Sequence, residues 1–132
     1  QDITYQFIQA DMQAPEGFCE DDHYHCKIYE YHQMIAYLDY MIGYRFSMKH
    51  DSHYLWIGLF MVEESLWHRH YGKQIITHLC KQYPTHTLQL ACLVQNKNGL
   101  SFWKAMGFQE IACSYWGHEE VVILEKQAKE EL

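Results

Sequence analysis

Apolar residues recur along this chain in two rhythms, and the change from one to the other falls just after Val62. Before that point, Cys26 to Tyr31, Met34 to Ile42 and Tyr54 to Val62 are apolar stretches rich in β-branched and aromatic residues, and they predict strands. The polar segment Gly43 to His53 reads as a hairpin connection, and the whole block as an antiparallel meander. Thr4 to Ala10 fits a short helix or a strand equally well, and Ala14 to Asp22, with Pro15, Gly17 and an acidic run, reads as a loop.

After Val62 the spacing becomes helical. Ile75, Ile76, Leu79, Cys80 and Tyr83 share one face, Lys73, Gln74, Thr77, Lys81 and Gln82 mostly lie on the other, and Pro84 ends the helix. Leu88, Leu90, Cys92 and Val94 alternate with Thr87, Gln89, Ala91 and Leu93, so both faces are largely apolar and the strand is expected to be buried on both. A short helix from about Asn98 to Met106 follows, with Gly107 suited to its C-terminal end. Two closing strands, Phe108 to Tyr115 and Val121 to Lys126, flank Trp116 to Glu120. The strand–helix–strand unit from Tyr54 to Val94 implies a right-handed crossover and one parallel pair, which makes the fold mixed α/β (α+β).

Composition narrows the classes. The chain has 132 residues, of which 48% are hydrophobic and 16% aromatic, so it is expected to form one domain, 1–132, with a real core. A formal net charge of −7 and only ten Lys and Arg exclude a nucleic-acid surface and suit a cationic partner such as an amine. The five cysteines are odd in number and lack a Cys-x-x-Cys pair, so they are not a disulfide framework. No signal peptide and no apolar run of roughly 18 residues is present, so no membrane association is expected and a reducing cytoplasm is the expected compartment.

Chemistry concentrates in two segments. From Leu59 to Leu79 a strand ends, a loop turns, and an amphipathic helix starts near Gly72. The first amides of a helix lack internal partners and sit at the positive end of its dipole, so a phosphate suits them, and Arg69 and Lys73 are placed to add charge. The second segment is Asn96-Lys-Asn-Gly-Leu-Ser-Phe102-Trp103-Lys-Ala-Met-Gly107-Phe108, directly after the buried strand.

Together these two segments resemble the GNAT superfamily of acetyltransferases, over roughly Met34 to Lys126. The Phe-Trp-Lys-Ala-Met-Gly-Phe ending is the most specific part, and both motifs stand at the family's separation. The resemblance implies the acyl-CoA N-acyltransferase fold: a central, mostly antiparallel mixed sheet whose fourth and fifth strands splay apart, flanked by helices. It implies acetyl-CoA as co-substrate and direct transfer to the primary amine of a small molecule or peptide, without a covalent enzyme intermediate. Backbone groups around Met61 and Val62 would bond the pantetheine amides, an amide near Val62 would polarise the thioester carbonyl, and Trp67, His68, Arg69, His70, Tyr71, Gly72 and Lys73 would wrap the pyrophosphate. Asn96 matches the family's asparagine at the mouth of the slot.

The phosphate loop departs from the family's Gln/Arg-x-x-Gly-x-Gly/Ala. One register starts at Arg69 and makes Gly72 the first glycine. The other starts at Trp67, puts His70 where the first glycine belongs and Gly72 at the last. The second keeps the usual distance from the strand end and places Ile75, Ile76 and Leu79 on the buried face. Trp103 stands where many relatives carry a proton-donating tyrosine; indole cannot act as that acid, so Trp103 reads as a wall beside the pantetheine, with water or Tyr115 left to protonate the thiolate. Glu63 is the named base, with Glu64 and Asp39 as alternatives. The first helices of the family are here short or truncated, so one wall of the acceptor site is reduced or completed by a second subunit, as in a homodimer.

Two competing classes exist. A non-catalytic acyl-CoA-binding or regulatory module is suggested by His70 and Trp103. A metal-binding protein is suggested by His23-Tyr-His25-Cys26 with Cys19 upstream, and by His68-x-His70. No spacing matches a closed Cys/His site, and two histidines one residue apart on a strand simply share a face, so no metal is expected.

Overall fold

The computed structural model describes residues 3–8 and 22–129. Seven strands, β1 (Ile3–Ile8), β2 (His23–Glu30), β3 (Gln33–Arg45), β4 (Lys49–Val62), β5 (Thr87–Leu93), β6 (Gln109–Trp116) and β7 (Glu119–Lys126), form one sheet in the order β1-β2-β3-β4-β5-β7-β6. Helix α1 (Tyr71–Gln82) lies between β4 and β5 in the chain, and α2 (Lys97–Ala105) between β5 and β6. The β1–β2, β2–β3, β5–β7 and β6–β7 pairs are antiparallel. Sheet neighbours β4 and β5 are joined across α1, as the predicted crossover requires of the parallel pair in a mixed sheet. Among the described residues no helix is long and apolar enough to cross a membrane.

The segment Thr4 to Ala10 resolves as a strand over Ile3–Ile8, paired with β2 so that Phe7 faces Cys26. Residues 9 and 10, and the predicted loop up to residue 21 with Cys19, lie outside the described residues. The hairpin connection is far shorter than Gly43 to His53. β3 runs to Arg45 and β4 starts at Lys49, leaving Phe46–Met48 as a tight turn in which Ser47 takes a left-handed φ of 70°. Cross-strand pairing explains why polar residues stay on the ladder. Arg45 lies over the Tyr54 ring at 4.8 Å and 3.8 Å from the Asp51 carboxylate, and Tyr44 meets His50 edge to face. Likewise β6 and β7 close on Gly117 and His118 alone, with Gly117 supplying a φ of 58°.

The chain divides into two compact units. The first comprises Gln1–Ile42 and Ile57–Tyr83. Its helix buries Ile75, Ile76, Leu79 and Cys80, the face that the periodicity picks out. Tyr40 is buried and hydrogen-bonds Tyr83 through their hydroxyls at 3.0 Å, while Tyr24 stacks on Tyr40 and Tyr5 on His78. Burial together with the Tyr83 hydroxyl holds the Tyr40 phenol well above the usual tyrosine range.

The second unit comprises Gly43–Trp56 and Pro84–Leu132. Its core draws on Leu88, Leu90, Trp103, Phe108 and the run Val121 to Leu124. One position in β5 escapes the apolar pattern: Gln89 is 0% exposed. Its Oε1 accepts the Phe46 amide at 2.7 Å, and its Nε2 donates to Glu125 at 2.8 Å. A buried amide in the sheet is tolerated because both of its ends are bonded. Replacing Gln89 by Leu removes both bonds and leaves a backbone amide and a carboxylate short of partners. We expect Gln89→Leu to lower stability by about 2 kcal/mol, read as a reduced midpoint in urea unfolding.

Candidate functional site

In the first unit, the end of β4 is held by two hydrogen bonds that determine where the chain leaves the sheet. The Glu63 amide donates to the Ile35 carbonyl on β3 at 2.8 Å. The Trp67 indole Nε1–H donates to the Val62 carbonyl at 2.9 Å and folds the loop back on the strand. Between them Glu64–Leu66 forms a single 3₁₀ turn, with the Leu66 amide on Glu63 and the Trp67 amide on Glu64. Leu59 and Met61 on β4 are exposed, as are Glu63 and Glu64.

The loop then needs two left-handed residues, His68 at φ 67° and His70 at φ 68°. His70 is the N-cap residue of α1, and its side chain makes no capping bond. A first turn of helix is thereby presented with its amides uncapped by the residue that normally serves them. Arg69 and Lys73 are exposed beside it, and no acidic residue occupies the first turn. Positive dipole end, uncapped amides and two cations together fit a pyrophosphate. The left-handed φ at His70, like that at His68, is one that glycine adopts more easily than histidine. Tyr71 fixes the helix start differently: its hydroxyl donates to Glu30 at 2.6 Å, and that carboxylate raises the phenol above its ordinary range. Nothing in the sequence pattern signals this contact.

Asn96 and Trp103 sit in the second unit. Asn96 is the N-cap of α2, its Oδ1 accepting the Gly99 amide at 2.9 Å. The side chain folds so closely over the turn that a Cβ at residue 99 would stand 2.4 Å from Nδ2, so glycine is required there. Trp103 is 8% exposed and packs edge-on against Phe102 and Phe108, ring centroids 4.9 and 5.1 Å away. Its setting is that of a core side chain. Tyr115 is exposed.

Asp39, an alternative base, is buried between two imidazoles. His23 Nε2 bonds Asp39 Oδ1, His25 Nδ1 lies 3.5 Å from Asp39 Oδ2, and His25 Nδ1 also meets the Tyr37 hydroxyl at 2.7 Å. Such a carboxylate is engaged within the sheet, whereas Glu63 is open to solvent. Cys26 lies between these positions in pairing but alternates to the opposite face, and burial pushes its thiol up to about 11.

A strand ending at a tight loop and an uncapped helix start, set in a seven-stranded mixed sheet with two helices, defines the acyl-CoA N-acyltransferase fold. The chain belongs to the acetyltransferase (GNAT) family, whose model matches residues 2–108. The enzymes of that family are N-acetyltransferases that use acetyl-CoA. The fold is similar to that of the Escherichia coli ribosomal-protein-S18-alanine N-acetyltransferase, at 12% identity and a TM-score of 0.72 over 99% of this chain and 97% of that one. It is similar to a Thermus thermophilus acetyltransferase, at 16% identity and a TM-score of 0.68 over 80% of this chain, which spans 64% of that protein's length. A Bacillus subtilis acetyltransferase in complex with CoA matches 81% of this chain and 78% of its own, at 14% identity and a TM-score of 0.65. No curated protein sequence matches the chain.

Because His70 holds a backbone conformation that a Cβ disfavours, His70→Gly relieves strain at the N-cap. We expect it to raise stability by about 1 kcal/mol in urea unfolding; an unchanged or lowered midpoint would show that the imidazole is held there by contacts worth more than the strain.

Proposed function

We propose that this chain, acting as one catalytic domain over 1–132, transfers the acetyl group of acetyl-CoA directly to a primary amine of a peptide or small molecule. The observation that carries the reading is the uncapped first turn of α1, delivered by two left-handed histidines next to Arg69 and Lys73. In this reading the amides of Tyr71, Gly72 and Lys73 hold the pyrophosphate, and Arg69 and Lys73 balance its charge. His70 adds a donor where the family has a glycine. Backbone groups of β4 around Met61 and Val62 would bond the pantetheine amides as an added strand would. Asn96 and Trp103 are assigned by the resemblance: Asn96 to the cofactor, Trp103 as an apolar wall for it.

For the acyl transfer, the resemblance assigns a backbone amide near Val62 to the thioester oxygen; the neighbouring Glu63 amide is given to Ile35. Glu63 takes the proton that the ammonium must lose before the amine attacks the carbonyl carbon. The amide bond forms as the carbon–sulfur bond breaks, and the thiolate is protonated by water or by Tyr115. The net charge of −7 favours encounter with a cationic acceptor. A peptide amine is supported by the name of the E. coli relative, which places its reaction on an alanine of a ribosomal protein.

A second reading, an acyl-CoA-binding module without turnover, is favoured by the histidine in place of the loop glycine and by Trp103 in the core. Calorimetric titration with acetyl-CoA followed by turnover on a panel of amines and peptides separates the two. Gly72→Glu should leave folding intact, since a carboxylate suits a helix N-terminus, yet weaken acetyl-CoA binding by about tenfold or more through repulsion of the pyrophosphate. Equal affinity in that variant would move the cofactor elsewhere. Glu63→Gln should reduce kcat by about 100-fold while changing the KM for acetyl-CoA little. Unchanged turnover across pH would remove Glu63 from the reaction.

A further inference from the structure

The acetyltransferase reading makes no use of the buried cluster on β2 and β3. The strand register sets His25 opposite Asp39, and His23 lies two residues along on the same face. Each of the three residues offers one ligand atom, and the three atoms lie within 4.8 Å of one another. From these observations we propose that His23, His25 and Asp39 form a binding site for one divalent transition-metal ion of the Zn²⁺ or Co²⁺ class.

Burial separates this group from the loose histidine and carboxylate clusters that surfaces commonly carry. The side chains of His23, His25 and Asp39 are 6%, 1% and 11% exposed. A charged carboxylate and two imidazoles are seldom withdrawn from water unless something binds them fully. Here hydrogen bonding does not complete them. His23 Nδ1 and His25 Nε2 are buried with no hydrogen-bond partner among the described residues, so each ring keeps a nitrogen that these residues leave unbonded. The nitrogens that face the carboxylate, His23 Nε2 and His25 Nδ1, are the ones an ion would take, replacing the bond to Asp39 and the contact with the Tyr37 hydroxyl.

The donor set also selects the ion. Two imidazoles and one carboxylate are ligands of Zn²⁺, Co²⁺ and their neighbours, whereas Ca²⁺ and Mg²⁺ seek oxygen alone. Around a tetrahedral ion with bonds near 2.1 Å, ligand atoms stand roughly 3.4 Å apart, within reach of this spacing by small side-chain shifts. Three protein ligands leave a further coordination position open. Gly58 on β4 lies beside Asp39. A Cβ there would sit 3.6 Å from both the Asp39 carbonyl oxygen and the Met41 methyl carbon and 3.9 Å from Asp39 Oδ1, so glycine keeps this side of the carboxylate free of a further side chain. Cys26 contributes no ligand, because strand alternation points it to the opposite face.

The site is separate from acyl transfer. Ile35, which receives the Glu63 amide, precedes Asp39 by four residues on β3, a distance of roughly 13 Å along the strand. The ion would therefore cross-link β2 to β3, and the proposal stands or falls independently of acetyl-CoA binding.

The test is calorimetric titration of chelator-treated, full-length protein with Zn²⁺, paired with the visible spectrum of its Co²⁺ form. We expect one ion per chain at micromolar strength, ligand-field bands typical of nitrogen and oxygen donors, and a Tm raised by about 5 °C with excess Zn²⁺. His25→Gln and Asp39→Asn should each weaken Zn²⁺ by about tenfold or more, while a His68→Ala, His70→Ala double variant should bind it unchanged. Imidazole NMR of the unaltered chain needs no substitution: two ring systems should shift with one equivalent of Zn²⁺. Failure to bind at millimolar Zn²⁺, binding indifferent to His25 and Asp39, or binding lost with His68 and His70 would each overturn the proposal and leave a hydrogen-bonded His–Asp–His array.

Discussion

The hydrogen bond from the Trp67 indole to the Val62 carbonyl, with the Glu63 amide on Ile35, sets the rest of the first unit. These two bonds fix the end of β4 and the direction in which the chain departs. The short path to α1 can then be completed only by placing His68 and His70 in the left-handed region, which costs about 1–2 kcal/mol for each. Burial of Ile75, Ile76 and Leu79 contributes about 1.5–3 kcal/mol per side chain, so the helix more than offsets the strain of its approach. What the strain secures is orientation: a helix start that faces outward with its amides uncapped.

Periodicity made the helices and the buried strand legible, because their apolar residues repeat with a single period over many positions. Ile75, Ile76, Leu79 and Cys80 name the buried face of α1 without reference to anything else in the chain. Hairpin lengths were less legible. Polarity from Gly43 to His53 suggests a loop, yet pairing of Arg45 with Tyr54 and Asp51 keeps most of those residues in strands. Single polar residues in the core escaped the pattern for a related reason. Gln89 sits in an apolar run, and only the register that brings Phe46 and Glu125 to it shows why it is an amide.

Within the site, the residue types near α1 are readable from spacing, whereas the left-handed φ of His68 and His70 is not. The cluster around Asp39 was readable only in part. The alternation His23-Tyr24-His25 puts both rings on one face, but which strand lies opposite, and which of its residues faces them, depends on pairing that a single sequence does not state. Gln89 and the histidine cluster therefore contrast as buried polar groups of the sheet. Gln89 has a partner at each end, whereas each of the two histidines has a nitrogen with no partner among the described residues.

The tie between Trp67 and Val62 has an optical consequence. An indole whose N–H is held by a carbonyl in a half-exposed loop emits according to that bond and to the water around it, while Trp103 emits from an apolar core. The chain thus carries an intrinsic fluorophore inside the segment that turns the strand into the helix, so the arrival of an anion at that turn can be followed by light without attaching any label.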